Sequence, residues 1–129
     1  MSFTFTKATK ASAKLRAALF GPSGAGKTFT ALRIAAGLGG AIAVIDTERG
    51  SASKYADRFS FDVLDLEHAA IPSYQGAIEA AAQAGYPVLV IDSLSHGWQE
   101  LLQEIDRLAA AKYRGNTWSV QSVATPPWL

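Results

Sequence analysis

The chain contains no cysteine. Disulfides, zinc–thiolate sites, iron–sulfur clusters and a thiol nucleophile are therefore excluded. A cysteine-free chain suits a reducing compartment, so a cytoplasmic location is expected. No apolar run approaches the ~20 residues needed to span a bilayer. No apolar stretch follows the N-terminal lysines in the manner of a secretory signal. Neither a membrane partner nor export is expected. Net charge is scarce too: 12 Lys and Arg against 11 Asp and Glu leave +1, which by itself gives no nucleic-acid footprint. Only two histidines occur, His68 and His96. They are far apart in sequence and lack metal-ligand spacing, so surface or capping roles are expected. Internal repeats are lacking, and no low-complexity tract goes beyond an alanine bias.

What is present suffices for one domain. The 129 residues are 49% hydrophobic, too apolar for a disordered chain and enough to bury a core. The small net charge hides a division. Residues 1–16 carry Lys7, Lys10, Lys14 and Arg16 and no acid, whereas residues 57–106 carry nine acids against Arg58 alone. The basic start reads as a solvated arm, with a nucleic-acid or partner contact as the alternative.

Apolar runs and helical periods alternate along the chain. Leu15–Phe20 is an apolar run ending in a glycine-rich turn, the pattern of a buried strand. Thr28–Leu38 has helical spacing and stops at Gly39-Gly40. Ala41–Asp46, Phe61–Leu66 and Val88–Asp92 read as three further strands, and Ser51–Phe59 as a short helix. Ser73–Ala84 reads as a helix with Ser73 as its N-cap and Gly85 beyond its end. Leu94–Lys112 is the longest helix; Leu94, Trp98, Leu101, Leu102, Ile105, Leu108 and Ala109 form one apolar face, expected to be core. The alternation predicts an α/β fold with a mainly parallel sheet between helix layers. In such folds ligands lie beyond the carboxyl ends of the strands.

Three strand ends carry chemistry. Gly21-Pro22-Ser23-Gly24-Ala25-Gly26-Lys27-Thr28 satisfies G-x-x-x-x-G-K-[ST] without mismatch, between an apolar run and a helix. Its glycines permit backbone conformations that a Cβ forbids. The loop N–H groups, including that of Phe29 in the first helical turn, converge on phosphate oxygens at the positive end of the helix. Lys27 reaches the outer phosphates, and the Thr28 hydroxyl serves Mg²⁺. Asp92 closes an apolar run downstream of this loop, the place of a Mg²⁺ partner; a plain strand-end aspartate is the alternative. Glu48 follows the run ending at Asp46. From position alone it is either a carboxylate that orients attacking water or a loop acid paired with Arg49.

The segments GPSGAGKT, AIAVIDTERG and VLVIDS, in that order, resemble the RecA-like P-loop ATPases over residues 14–114. The resemblance implies ATP and Mg²⁺ as ligands and maps Glu48 onto the catalytic base. It maps Asp92-Ser93 onto the aspartate–serine pair closing the second nucleotide motif. More narrowly, the chain resembles small phage-encoded RecA cores found with recombination genes, which implies single-stranded DNA and a homo-oligomer as partners. Phe5-Thr-Lys-Ala8 fits the F-x-x-A pattern by which some of these proteins dock onto a neighbouring subunit; a locally packed arm is the alternative. Tyr55 and Tyr74 are placed either to stack on adenine or to pack on the sheet.

Departures shape the expectation. Pro22 stands where partition-type ATPases carry lysine, no arginine-rich kinase lid is visible, and the guanine-reading Asn-Lys-x-Asp motif is absent. The further strand that RecA-like sheets place between the phosphate-loop strand and the Asp92 strand has only Thr117–Ala124 to supply it. The expected organisation is a basic arm (1–14), a core (15–114) and a tail or remnant (115–129), cut short at the C-terminal side. A phosphotransferase acting on a small acceptor and a non-hydrolysing nucleotide-binding module stand as alternatives to an ATPase.

Overall fold

The structure, a computed structural model, describes residues 4–7 and 14–112. The expected strand at Thr117–Ala124, the tail and the Ala8 end of the F-x-x-A pattern lie outside the described residues.

Among the described residues, seven elements run from Lys27 onward. They are α1 (Lys27–Leu38), β1 (Ile42–Asp46), a 3₁₀ turn (Ala52–Tyr55), β2 (Asp62–Asp65), α2 (Ile71–Gln83), β3 (Val88–Asp92) and α3 (Ser95–Lys112). The strands form one parallel sheet in the order β2-β1-β3. Parallel neighbours need crossovers, and α2 carries the chain from β2 past β1 to β3. The α/β class and the flanked parallel sheet read from the sequence are thus present.

Central position explains composition. β1, with a neighbour on each side, is buried at all five residues. Its alternating side chains divide between two faces. Ile42 and Val44 join Leu32 and Ala35 of α1 and Ala52 in the main core, with Phe59, Phe61, Val88 and Val90 packed around them. On the other face Ala43 and Ile45 meet the small side chains Ala77, Ala80 and Ala81 of α2 around a cavity of about 190 Å³. Burying Leu32, Val44 and Ile45 almost completely contributes about 1.5–3 kcal/mol for each side chain.

Three sequence expectations are corrected. Leu15–Phe20 forms no strand: Leu15, Leu19 and Phe20 are exposed, Phe20 by 97%. An apolar run becomes a strand only where a sheet edge receives it, and β3 pairs only with β1 among the described residues. Ser73 is not an N-cap. α2 begins two residues earlier, Ala70 occupies the cap position without a side-chain bond, and a proline in the first turn presets the helical φ. The apolar face of α3 is split. Ile105 and Ala109 are buried with Leu101 and Leu108 against them, while Leu94, Trp98 and Leu102, one turn apart from each other, are exposed. Of residues 1–14, Phe5 is exposed.

Candidate functional site

The parallel register brings the carboxyl ends of all three strands level. Asp46 lies opposite Asp65 on one side and Asp92 on the other. The phosphate-loop motif precedes α1 and reaches this same edge, because Thr28 Oγ1 donates a 2.5 Å hydrogen bond to Asp92 Oδ2. Residues 64 positions apart are thereby joined.

Local geometry of the loop follows from its glycines. Gly24 and Gly26 hold φ of 78° and 83°, left-handed values that other residues avoid. Gly26 occupies the N-cap position with no side-chain cap. The first backbone bond at the helix start runs from Thr30 N–H to Gly26 O at 3.0 Å. The N–H groups of Lys27, Thr28 and Phe29 precede that bond, and so remain free of the helical ladder at its positive end. No acidic side chain stands in this first turn. The Phe29 ring packs edge-on against Tyr55 and Phe59. The Lys27 ammonium donates to the carbonyls of Gly21 (2.9 Å) and Pro22 (2.8 Å). Gly21, Pro22, Ser23 and Ala25 complete an exposed turn closed by a 3.2 Å bond from Ala25 N–H to Pro22 O.

The loop after β1 is built on Asp46, which is 1% exposed. Its Oδ1 accepts the Glu48 N–H (2.7 Å) and its Oδ2 the Ala52 N–H (2.9 Å). This carboxylate thus shapes the turn that presents Glu48. Arg49 follows at φ 54° and Gly50 at φ 86°, so the chain reverses sharply there. Glu48 does not pair with Arg49. Its Oε1 accepts a 3.2 Å hydrogen bond from Ser93 Oγ, next to Asp92. Thr47, Glu48, Arg49 and His96 line an open pocket of about 450 Å³.

The structure therefore brings Lys27, Thr28, Asp92, Ser93 and Glu48 to one edge of the sheet. Tyr55 and Tyr74 pack rather than face the site: Tyr55 joins the core aromatics, and the buried Tyr74 donates from its hydroxyl to Ser93 O at 2.7 Å. Sequence reasoning missed Asp46, Thr47 and His96. Asp46 had a legible signal, since an aspartate commonly accepts the N–H two residues on. Thr47 and His96 had none, because their 3.0 Å contact joins residues 49 apart. Among the described residues, no group of three His, Asp or Glu forms a metal cluster. No described helix is long and apolar enough to cross a membrane.

Comparison with known proteins gives one family. The family described as AAA domain matches residues 13–121. No curated protein and no solved structure matches the chain.

Proposed function

Because the chain belongs to the AAA domain family of P-loop NTPases, we propose that it binds Mg-ATP and hydrolyses it at the edge shared by β1 and β3. The observation that carries this reading is the contact of Thr28 with Asp92 beneath an intact phosphate loop.

The residues have distinct tasks. Loop amides and the N-terminus of α1 cradle the phosphates. Lys27 exchanges the Gly21 and Pro22 carbonyls for phosphate oxygens and offsets their charge. Thr28 Oγ1 and the Asp92 carboxylate form an oxygen-only donor pair that fits a hard cation such as Mg²⁺. When bound, that cation neutralises charge developing on the outer phosphates. Glu48, held at the same edge through Ser93, orients and deprotonates the attacking water.

The finer reading is a RecA-like ATPase that handles single-stranded DNA. The order of the three motifs and the basic residues ahead of the core support it.

Titration with a fluorescent ATP analogue, coupled to a phosphate-release assay, tests the proposal. Lys27→Ala is expected to abolish nucleotide binding. Glu48→Gln is expected to bind within about twofold of wild type and to lose turnover by about 10²–10⁴-fold. Hydrolysis at the wild-type rate by Glu48→Gln removes Glu48 from its role. Tight binding by the wild-type chain without phosphate release favours a nucleotide-binding module instead.

A further inference from the structure

One hydroxyl ties the ends of β1 and β3 to the start of α3. Thr47 Oγ1 lies 3.0 Å from Ser93 N, 3.0 Å from Ser93 O and 3.0 Å from His96 Nδ1. The Thr47 N–H donates to Asp92 O at 2.8 Å. Ser93, gripped in this way at both its N–H and its carbonyl, sends its Oγ to Glu48 Oε1.

Proton accounting gives His96 a part in this arrangement. A threonine hydroxyl has one proton to donate and two acceptor positions. Thr47 Oγ1 accepts the Ser93 N–H. Its own proton goes either to Ser93 O or to His96 Nδ1. Ser93 O already accepts from the Tyr74 hydroxyl. If Nδ1 is unprotonated, Thr47 donates to the ring; if Nδ1 carries hydrogen, the ring donates and Thr47 turns to Ser93 O. In both cases Nδ1 fixes the hydroxyl, the hydroxyl fixes the Ser93 backbone, and Ser93 fixes the Glu48 carboxylate.

We infer that His96 is a positioning residue for Glu48, acting through Thr47 and Ser93. The inference rests on the reading of Glu48 as the water-orienting carboxylate. It makes the first turn of α3 part of the hydrolytic machinery, although His96 lies outside the nucleotide motifs. A carboxylate displaced by ~1 Å costs about 10²-fold in rate with little effect on binding.

The atom involved makes the test specific. Asparagine places its amide near the position of Nδ1, and glutamine places it near Nε2. His96→Ala is expected to lower kcat by about 10–100-fold and to leave affinity for the fluorescent ATP analogue within about twofold. His96→Asn is expected to recover most of the rate, and His96→Gln is not. Thr47→Val is expected to match His96→Ala, and the double variant to be no slower than either single one. Should alanine at 96 prevent folding, as judged by circular dichroism, the Asn and Gln pair decides the matter. The inference is overturned if His96→Ala turns over normally, if Gln restores the rate as well as Asn, or if the loss lies in KM alone. An inactive Glu48→Gln beside a fully active His96→Ala removes only this inference. A fully active Glu48→Gln removes the underlying reading as well.

Discussion

Asp46 shows how a single buried residue can shape the turn that presents another. Its carboxylate is buried and satisfied by two backbone N–H groups, one of which belongs to Glu48. Truncating one partner of a buried hydrogen bond strands the other, at about 1–3 kcal/mol for each group left unpaired. Asp46→Ala is therefore expected to lower stability by about 2–6 kcal/mol, measured by urea denaturation. Asp46→Asn keeps one acceptor oxygen and is expected to fall between. Glu48 was legible as a candidate because it follows an apolar run at a strand end; its partner was not. Pairing with the adjacent Arg49 is one of the two readings that its position leaves open. The structure instead gives Glu48 to Ser93, because the register that sets Asp46 beside Asp92 also brings the residues after them together. Register is a property of two strands at once, and neither strand's sequence states it.

At the scale of elements, the packing of α3 on α2 turns on Gly97. A Cβ there would stand 2.6 Å from Tyr74 Cε2 and 3.3 Å from Cδ2 and Cζ. Tyr74 is buried and its ring is rigid, so it cannot swing aside cheaply. Alanine gains about 1 kcal/mol in helix propensity over glycine, yet overpacking a filled core costs about 1–3 kcal/mol. Gly97→Ala is expected to be net destabilising by up to about 2 kcal/mol in thermal melts and to pull the Tyr74 hydroxyl away from Ser93. Most elements were readable one at a time. β1 and β3 announced themselves as short apolar runs, and α1 and α3 by their period. The errors have a shared cause. Leu15–Phe20 has the composition of a strand without a partner strand among the described residues. The face of α3 has the right period, but α2 and the sheet leave Trp98 and Leu102, and Leu94 just ahead of the helix, uncovered. Periodicity says which residues can be buried together; it does not say how much surface arrives to bury them.

At the scale of the whole molecule, the near-neutral total conceals a basic start ahead of an acidic body. Charge divided in this way could draw a polyanion to one end while leaving the rest repelled. If the proposed DNA role holds, ATP turnover is expected to rise on adding single-stranded DNA. That stimulation is expected to weaken as salt increases, since phosphate contacts release counterions. Removing residues 1–14 is expected to diminish it further. Turnover indifferent to DNA at low salt removes that reading and leaves the ATPase assignment intact. Membership of the P-loop NTPases and the α/β class were legible in the sequence, whereas the reading named RecA-like ATPases and not the AAA domain family that matches. Partner identity was not, because it depends on surfaces assembled from distant segments.

The Lys27 ammonium, resting between the Gly21 and Pro22 carbonyls, has a kinetic consequence. The loop is braced by its own side chain, across residues five and six positions apart. In the proposed site the lysine trades these carbonyls for phosphate oxygens by a rotamer change, which for an exposed side chain takes picoseconds to nanoseconds.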